Sequence, residues 1–568
     1  MANLGGDPTS GYDQDKSQGA DETYSSSLNA QPVKITTPSP KTSGNPTPSF
    51  DRNRDATPPI TSSPSTLPAP ITPLSLKKQI MIAITLSLTT VITSSSGQIL
   101  NIALPTIQDE LEIEDGTLQW LLSSINLSVG CLLLFSGRVA DIYGRKKILI
   151  LGLLVFTIFS LVGGFLQNAS GLMVSRALTG CGVAMTTPST TGIIAELFTG
   201  KARSRVFTCF SAGLSLGGIL GLLIGGLFVS YVRYTWRSCL FCVAGISFLT
   251  SILVMISIPS DGSHTSSKHV DWPGATLITT GLVLFLYAIT GAQSAPQGWR
   301  TSYIICLLIL GTILIISFFF WEHYVTVKTS DPPLMRLALW TRARGRLAAL
   351  YFTSFLAIMG FIPTLYNATL YFQEVQSISP VGTMLRFLPT EIAGILCSIM
   401  VALLIHRVPA YWLFVAGLLA CGFGNMCFAI SGQDANYWKL PFHGMWLIVF
   451  GINFFLPTGL IFVSAFSLPD EYSVASGLFQ TIQRLGGSVG LALTSIIFDS
   501  QYKLSLSRGS NEQMSYLKGI QSSFWLSAAG RWFGVFVAVV ALRGLGVFGK
   551  EEEQNSNTEI SRSGEVNV

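Results

Sequence analysis

The sequence predicts an all-α polytopic membrane protein, and three observations carry that prediction. Of 568 residues, 49% are hydrophobic and only 11% charged, a balance foreign to a soluble chain of this length. Apolar runs of about 20 residues, long enough to cross roughly 30 Å of hydrocarbon as helices, recur along the chain. Between two such runs, at 117–136 and 148–167, lies the charged stretch Gly137-Arg138-Val139-Ala140-Asp141-Ile142-Tyr143-Gly144-Arg145-Lys146-Lys147, which must sit at a membrane face.

Taken in order, the first element is a tail. From Met1 to about Ser75 the residues are mostly Ser, Thr, Pro, Asn, Gly and Asp, which cannot bury enough surface to offset the entropy of ordering, so disorder is expected. The tail lacks the basic start and apolar core of a signal peptide, leaving targeting to the first membrane helix. About fourteen spans follow, near 79–105, 117–136, 148–167, 171–197, 206–230, 236–258, 273–293, 302–321, 347–370, 380–404, 411–431, 441–467, 473–499 and 522–548. An even count puts both termini on one side. Arg138/Arg145/Lys146/Lys147, Lys201/Arg203/Arg205 and Arg336/Arg342/Arg344/Arg346 fall in alternate loops, so those loops and both tails are expected in the cytoplasm. The opposite side includes the acidic 109–115 stretch and, near membrane ends, two sequons at Asn168 and Asn367 that are weak candidates for glycosylation.

The net charge of +5 is explained by these loops and implies no nucleic acid. Nine scattered Cys form no CxxC pair and read as small packing residues, and five scattered His suggest no metal or haem site. No GxxxxGK[ST] loop, no paired catalytic carboxylates outside the membrane and no Ser/His/Asp arrangement are present, so neither an enzyme nor a directly ATP-driven pump is expected.

In the 137–147 stretch two glycines bracket an Asp and a basic cluster, which suits a tight reversal with Asp141 capping a helix end or pairing with Arg145. This stretch resembles the signature G-x-L-A-D-x-x-G-R-K-x of the major facilitator superfamily, placed between spans two and three. The resemblance implies the major facilitator fold, with two six-helix bundles plus two extra transmembrane helices. It also implies a conformational latch of Gly137, Arg138, Asp141, Gly144, Arg145 and Lys146, in which Asp141 holds the outward-facing state through contacts with the other half. A plain positive-inside role for Arg145, Lys146 and Lys147 stays open beside it.

Span four carries Arg176, Gly180 and Gly182 in a pattern similar to the family's R-x-x-Q-G-x-G, with Thr179 where Gln is usual. A guanidinium in an apolar helix needs a partner, expected to be a latch carboxylate or a proton relay, unless Arg176 snorkels to the headgroups. In span five, Gly213, Gly217, Gly221 and Gly225 recur every fourth residue and mark one smooth face, widened by Gly218 and Gly226. That face is similar to the antiporter motif G-x-x-x-G-P-x-x-G-G, with Leu222 in place of Pro; ordinary helix packing explains it equally well.

Span one ends in a segment that resembles the L-D-x-T-I-V-N-V-A-L-P element of fourteen-span drug:proton antiporters, with Ser96 at the Asp position. Gln98 and Asn101 then face either a cavity or neighbouring helices. Glu391, well inside span ten, is a substitute proton carrier or a structural carboxylate; its spacing from Arg386 suits an ion pair poorly. In span thirteen Gly486, Gly487 and Gly490 echo the glycines of span five, while Gln480, Gln483 and Arg484 point to the cavity or, for Arg484, to the latch. Phe352, Phe355, Tyr366, Tyr371, Phe372, Phe454 and Phe455 offer an apolar substrate surface or ordinary packing.

The resemblance divides the chain into a tail at 1–76, a first bundle at 77–260, two additional helices and linkers at 261–345, a second bundle at 346–548 and a tail at 549–568. It implies a monomeric, multi-pass cell-membrane transporter without cofactors, exporting a hydrophobic or amphipathic small molecule by alternating access with protons as coupling ion. A carrier of a small polar solute such as ammonium or borate is the alternative, and a non-transporting sensor a further one.

Overall fold

A computed structural model describes residues 75–543 except 113–114, 261–268, 293–294, 296, 330–332 and 406, so the expectations for the tails fall, save residues 75–76, outside the described residues. Those described form helices and connecting turns, with no strand among them. In chain order the α-helices are α1 (Leu76–Leu111), α2 (Asp115–Tyr143), α3 (Arg145–Phe165), α4 (Ala169–Leu197), α5 (Gly200–Tyr231), α6 (Thr235–Ser257), α7 (Trp272–Gly291), α8 (Ser302–Lys328), the short α9 (Ala338–Thr341), α10 (Arg346–Leu370), α11 (Pro380–Leu404), α12 (Ala410–Ala429), α13 (Pro441–Phe466), α14 (Tyr472–Ser507) and α15 (Glu512–Ala541).

Twelve of these are long and apolar enough, by length and composition, to cross a membrane. The two other long helices, α4 with 29 residues and α14 with 36, are too polar to meet that measure. Their hydroxyls are nevertheless accommodated: in α4, Thr179, Thr187, Ser189 and Thr190 each donate to the carbonyl four residues earlier at 2.7–2.8 Å. Back-bonding of this kind satisfies a hydroxyl where water is absent.

Local chemistry sets several helix starts. Asp271 accepts from Gly274 N at 3.0 Å, Ser379 from Gly382 N at 3.2 Å and Asn511 from Met514 N at 2.9 Å, so α7, α11 and α15 each begin on a side-chain cap. The expected charged loop at 137–147 is not a loop. α2 continues to Tyr143 and α3 starts at Arg145, leaving Gly144 as the break, with φ of 107°, a conformation that glycine adopts without Cβ strain. Likewise Arg203 and Arg205 lie in the first turns of α5, and Arg203 is buried with its Nε donating to Phe198 O at 2.8 Å.

Two sets of helices pack within themselves. α5 and α6 pack on α1, α4 lies against α2 and α3, and α3 meets α6; on the other side α10 packs on α14 and α15, α12 on α13 and α15, and α11 on α13. The sets meet where α14 packs on α2 and α4, and where α5 packs on α11 and α13. α7 and α8 pair with each other, and α7 rests on α2 and α14. α8 presents Ile305, Ile309, Leu310, Ile313, Ile316 and Phe320 outward, as a helix in contact with lipid does.

The α1–α5 contact depends on the four-residue glycine repeat. A Cβ placed on Gly213, Gly217, Gly221 or Gly225 would lie 3.0, 2.5, 2.7 and 2.9 Å from the carbonyl oxygens of Ser87, Val91, Ser95 and Ile99 respectively. With no side chains between them, Ser94 Oγ donates to Leu214 O at 2.8 Å and Ser95 Oγ to Gly217 O at 2.9 Å. Gly226, expected to widen the same face, is a correction: a Cβ there meets no atom within 4 Å. Gly180 and Gly182 perform the equivalent task for α4, where a Cβ would stand 2.7 Å from Ile125 O of α2 and from Gly152 O of α3.

Candidate functional site

The helix end around Gly144 meets the start of α14. The Asp141 carboxylate accepts from the backbone N–H groups of Ser473 at 3.2 Å and Val474 at 3.0 Å, the first free donors of a 36-residue helix. A carboxylate there satisfies orphan N–H groups and meets the positive end of the helix dipole. One turn onward Arg145 donates to Asp141 Oδ1 at 2.7 and 2.9 Å, to Glu196 Oε2 at 2.6 Å, to Ser473 Oγ at 3.0 Å and to Pro469 O at 2.6 Å. Its guanidinium also lies 5.5 Å from the centre of the Tyr472 ring. Only the five-donor fork of Arg can serve so many acceptors at once.

Gly137 makes this approach possible, since a Cβ on it would stand 2.6 Å from Ser473 O. Thr191 Oγ1 and Ser476 Oγ add a bond at 2.7 Å between α4 and α14. The same 469–471 turn is held from the linker before α10, by Arg336 to Asp470 at 2.9 Å and by Arg342 to Glu471. Lys146 points elsewhere, donating to Met255 O at 2.9 Å and Ile258 O at 2.5 Å at the end of α6, whereas Arg138 is buried near Asp141 and Asp470. Sequence reading missed Glu196 and Ser473; a lone carboxylate at the end of a membrane helix was the one available signal for the first.

Between the two helix sets lies a cavity of about 590 Å³. Gln98, Gln480, Gln483 and Arg484, expected to face it, do line it; the side chain of Asn101 lies outside the described residues. Arg484 Nη1 donates to Asn126 Oδ1 at 2.9 Å across the α2–α14 contact, so Arg484 serves the cavity and not the latch. Arg176 also lines the cavity, 2% exposed, and its partner corrects the expectation of a carboxylate or of headgroups: Nη1 donates to Ser96 Oγ at 3.0 Å and Nη2 to Ser96 O at 3.1 Å. Hydroxyls of Thr89, Thr93, Ser94, Thr186, Thr187 and Thr190 occupy much of one wall.

Glu391 is not on that wall. It faces Gly218 across the α5–α11 contact, where a Cβ on the glycine would stand 2.9 Å from Oε2, and it has no hydrogen-bond or ion-pair partner among the described residues. Arg386 instead donates to Gly382 O at 3.1 Å and lies over the Phe372 and Tyr437 rings. The seven aromatics proposed for a substrate surface are not in the lining: Tyr371, Phe372, Phe454 and Phe455 are buried packing residues, Phe352 and Tyr366 face outward, and the cavity takes its aromatics from Phe210 and Phe361. Of the sequon residues, Asn168 is exposed at the start of α4, whereas Asn367 is buried within α10 and donates to Pro363 O at 2.9 Å, a correction that removes it as a glycosylation site.

Two sets of membrane helices, clamped at one end and enclosing a shared cavity, define a membrane carrier with two halves. The sequence matches the Major Facilitator Superfamily profile over residues 86–271 and 272–491, and the chain belongs to that family. It is 31% identical over 409 residues to a puromycin resistance protein of Streptomyces alboniger, covering 71% of this chain and 78% of the relative. A cephamycin export protein of Amycolatopsis lactamdurans is 28% identical over 398 residues, covering 70% and 80%. Among solved structures, the proton:xylose symporter XylE superposes with a TM-score of 0.59 at 13% identity, covering 83% of this chain and 96% of the symporter.

Proposed function

We propose that this chain exports a hydrophobic or amphipathic small molecule, coupled to protons, by alternating access. The observation that carries the reading is the closed clamp of Asp141 and Arg145 on the start of α14, together with a cavity lined by both helix sets. The names of the two export and resistance relatives support the direction. The moving bodies are residues 77–260 and 346–548, with 261–345 supplying α7, α8 and the linker, and rocking of one body against the other exposes the cavity to alternate sides. The clamp holds the outward-facing state and opens when the cavity turns inward.

The basic clusters support a cytoplasmic clamp and cytoplasmic termini, and the cell membrane is proposed as the protein's place. One chain contains both halves and the whole cavity, which supports action as a monomer. Glu391, a carboxylate between α5 and α11 with no partner, is the coupling group: protonation removes its charge and lets the two helices close on it, and deprotonation favours the state in which water reaches it. A host strain without the protein should retain more of at least one exported compound. Unchanged retention across a broad panel, with altered ammonium or borate handling, would overturn export in favour of small-solute transport.

A further inference from the structure

Among the described residues the cavity wall contains two guanidinium groups, Arg176 and Arg484, and no Asp, Glu, Lys or His. Neither arginine has a carboxylate within ion-pair distance among the described residues, and their side-chain partners are neutral: Ser96 for Arg176, Asn126 for Arg484. Arg176 Nε, buried, has no hydrogen-bond partner among the described residues. A cation inside a membrane protein is costly unless compensated, and the described wall supplies neutral acceptors but no counter-charge.

The remaining lining offers two kinds of surface. Thr, Ser, Gln and Asn side chains of α1, α2, α4 and α14 share the lining with the arginines as neutral donors and acceptors, while the apolar wall comes from both helix sets, among them Val183, Phe210, Ile358, Phe361 and Leu456. We infer that the transported compound is an organic anion, a carboxylate or comparable acid joined to an apolar body, whose negative group lies against Arg484 and Arg176. A guanidinium receives such a group through paired N–H donors, and the apolar wall takes the rest of the molecule. A cation of the same shape meets two like charges and no counter-charge. This assignment rests on the export reading above and narrows it.

The test uses full-length protein in detergent and two planar xanthene dyes of opposite charge at pH 7.5, fluorescein as the anion and rhodamine 123 as the cation, read by fluorescence anisotropy. Wild type should bind fluorescein at least about tenfold more tightly than rhodamine 123. Arg484→Gln should remove most of that preference, Arg484→Lys should keep part of it, and Arg484→Glu should reverse it. Equal or tighter binding of rhodamine 123, binding of neither dye, or a preference unchanged in Arg484→Gln overturns the proposal. Transport of the same dyes in proteoliposomes separates the two claims: fluorescein bound selectively but never moved sinks export and leaves the charge class standing. Rhodamine 123 exported in preference to fluorescein does the reverse.

Discussion

Asp141 of α2 caps Val474 of α14, its Oδ2 accepting the backbone N–H at 3.0 Å, so one side chain joins the two helix sets through a helix end. Replacing it with Ala removes an acceptor for two backbone N–H groups and takes one of two counter-charges from Arg145. Breaking a buried charged pair typically costs about 3–5 kcal/mol. Most of that cost should fall on the clamped conformation, because Arg145 keeps Glu196 and packing within each helix set is untouched. Asp141→Ala should therefore slow transport at least about tenfold, if half of the lower cost enters the barrier to recovering the clamped state. It should also raise hydrogen exchange at residues 469–477 while the thermal midpoint moves little. Normal transport with unchanged exchange would remove the latch role.

The glycine face of α5 gives a paired packing test. Gly217→Ala would place a Cβ 2.5 Å from Val91 O and 2.7 Å from Ser94 Cβ, against backbone that cannot yield without separating the helices. Overpacking of this kind costs about 1–3 kcal/mol. Gly226→Ala meets nothing within 4 Å, and Ala is the better helix former by up to about 1 kcal/mol, so it should be neutral or slightly stabilising. Thermal unfolding of the two variants in one detergent checks the contrast; equal midpoints would mean the close α1–α5 approach is wrong.

How far the chain could be read without its structure differed by kind of feature. α11 spans 380–404, as hydropathy indicates, because burial in lipid writes a continuous local signal. The ends of α2 and α3 are not legible from charge, which suggests a loop, because Asp141 and Arg145 are helical and buried by partners more than 300 residues away. The Arg176–Ser96 pair spans 80 residues and could not be inferred from spacing. Burial of Asn367 and the outward turn of Phe352 depend on helix rotation, which composition alone does not fix. Gly225 and Gly226 are adjacent in sequence, yet one abuts Ile99 and the other meets open space.

Away from the clamp, Glu110 near the end of α1 accepts from Trp236 Nε1 at 2.6 Å and pairs with Arg237 at the start of α6. Partial burial pushes its pKa up, but the hydrogen bonds from Arg237 and Trp236, with the charge of Arg237, outweigh it and hold the carboxyl below its ordinary value of 4.5. A depressed folded-state pKa stabilises the fold fully above the unfolded value and loses that contribution as pH falls through the folded one. Glu110→Gln should thus lower the thermal midpoint slightly near pH 7, and the gap from wild type should narrow only below about pH 4.5. A gap that stays constant down to pH 3 would show that the charge of Glu110 contributes nothing.

Glu391 offers the sharpest test of coupling, because it is separated from both the clamp and the cavity wall. Its neighbour across the contact is Gly218, which supplies neither a counter-charge nor a side-chain donor. A carboxylate in such a position must exchange its charge for a proton before α5 and α11 can exclude water from it, which ties proton uptake to one conformation. Glu391→Gln fixes the neutral form. It should abolish accumulation driven by an imposed pH gradient in proteoliposomes while sparing exchange of substrate for substrate, which needs no net proton movement. Loss of both activities in a well-folded variant would assign Glu391 to the conformational cycle itself, and retention of gradient-driven transport with an unaltered pH profile would move proton coupling to another group.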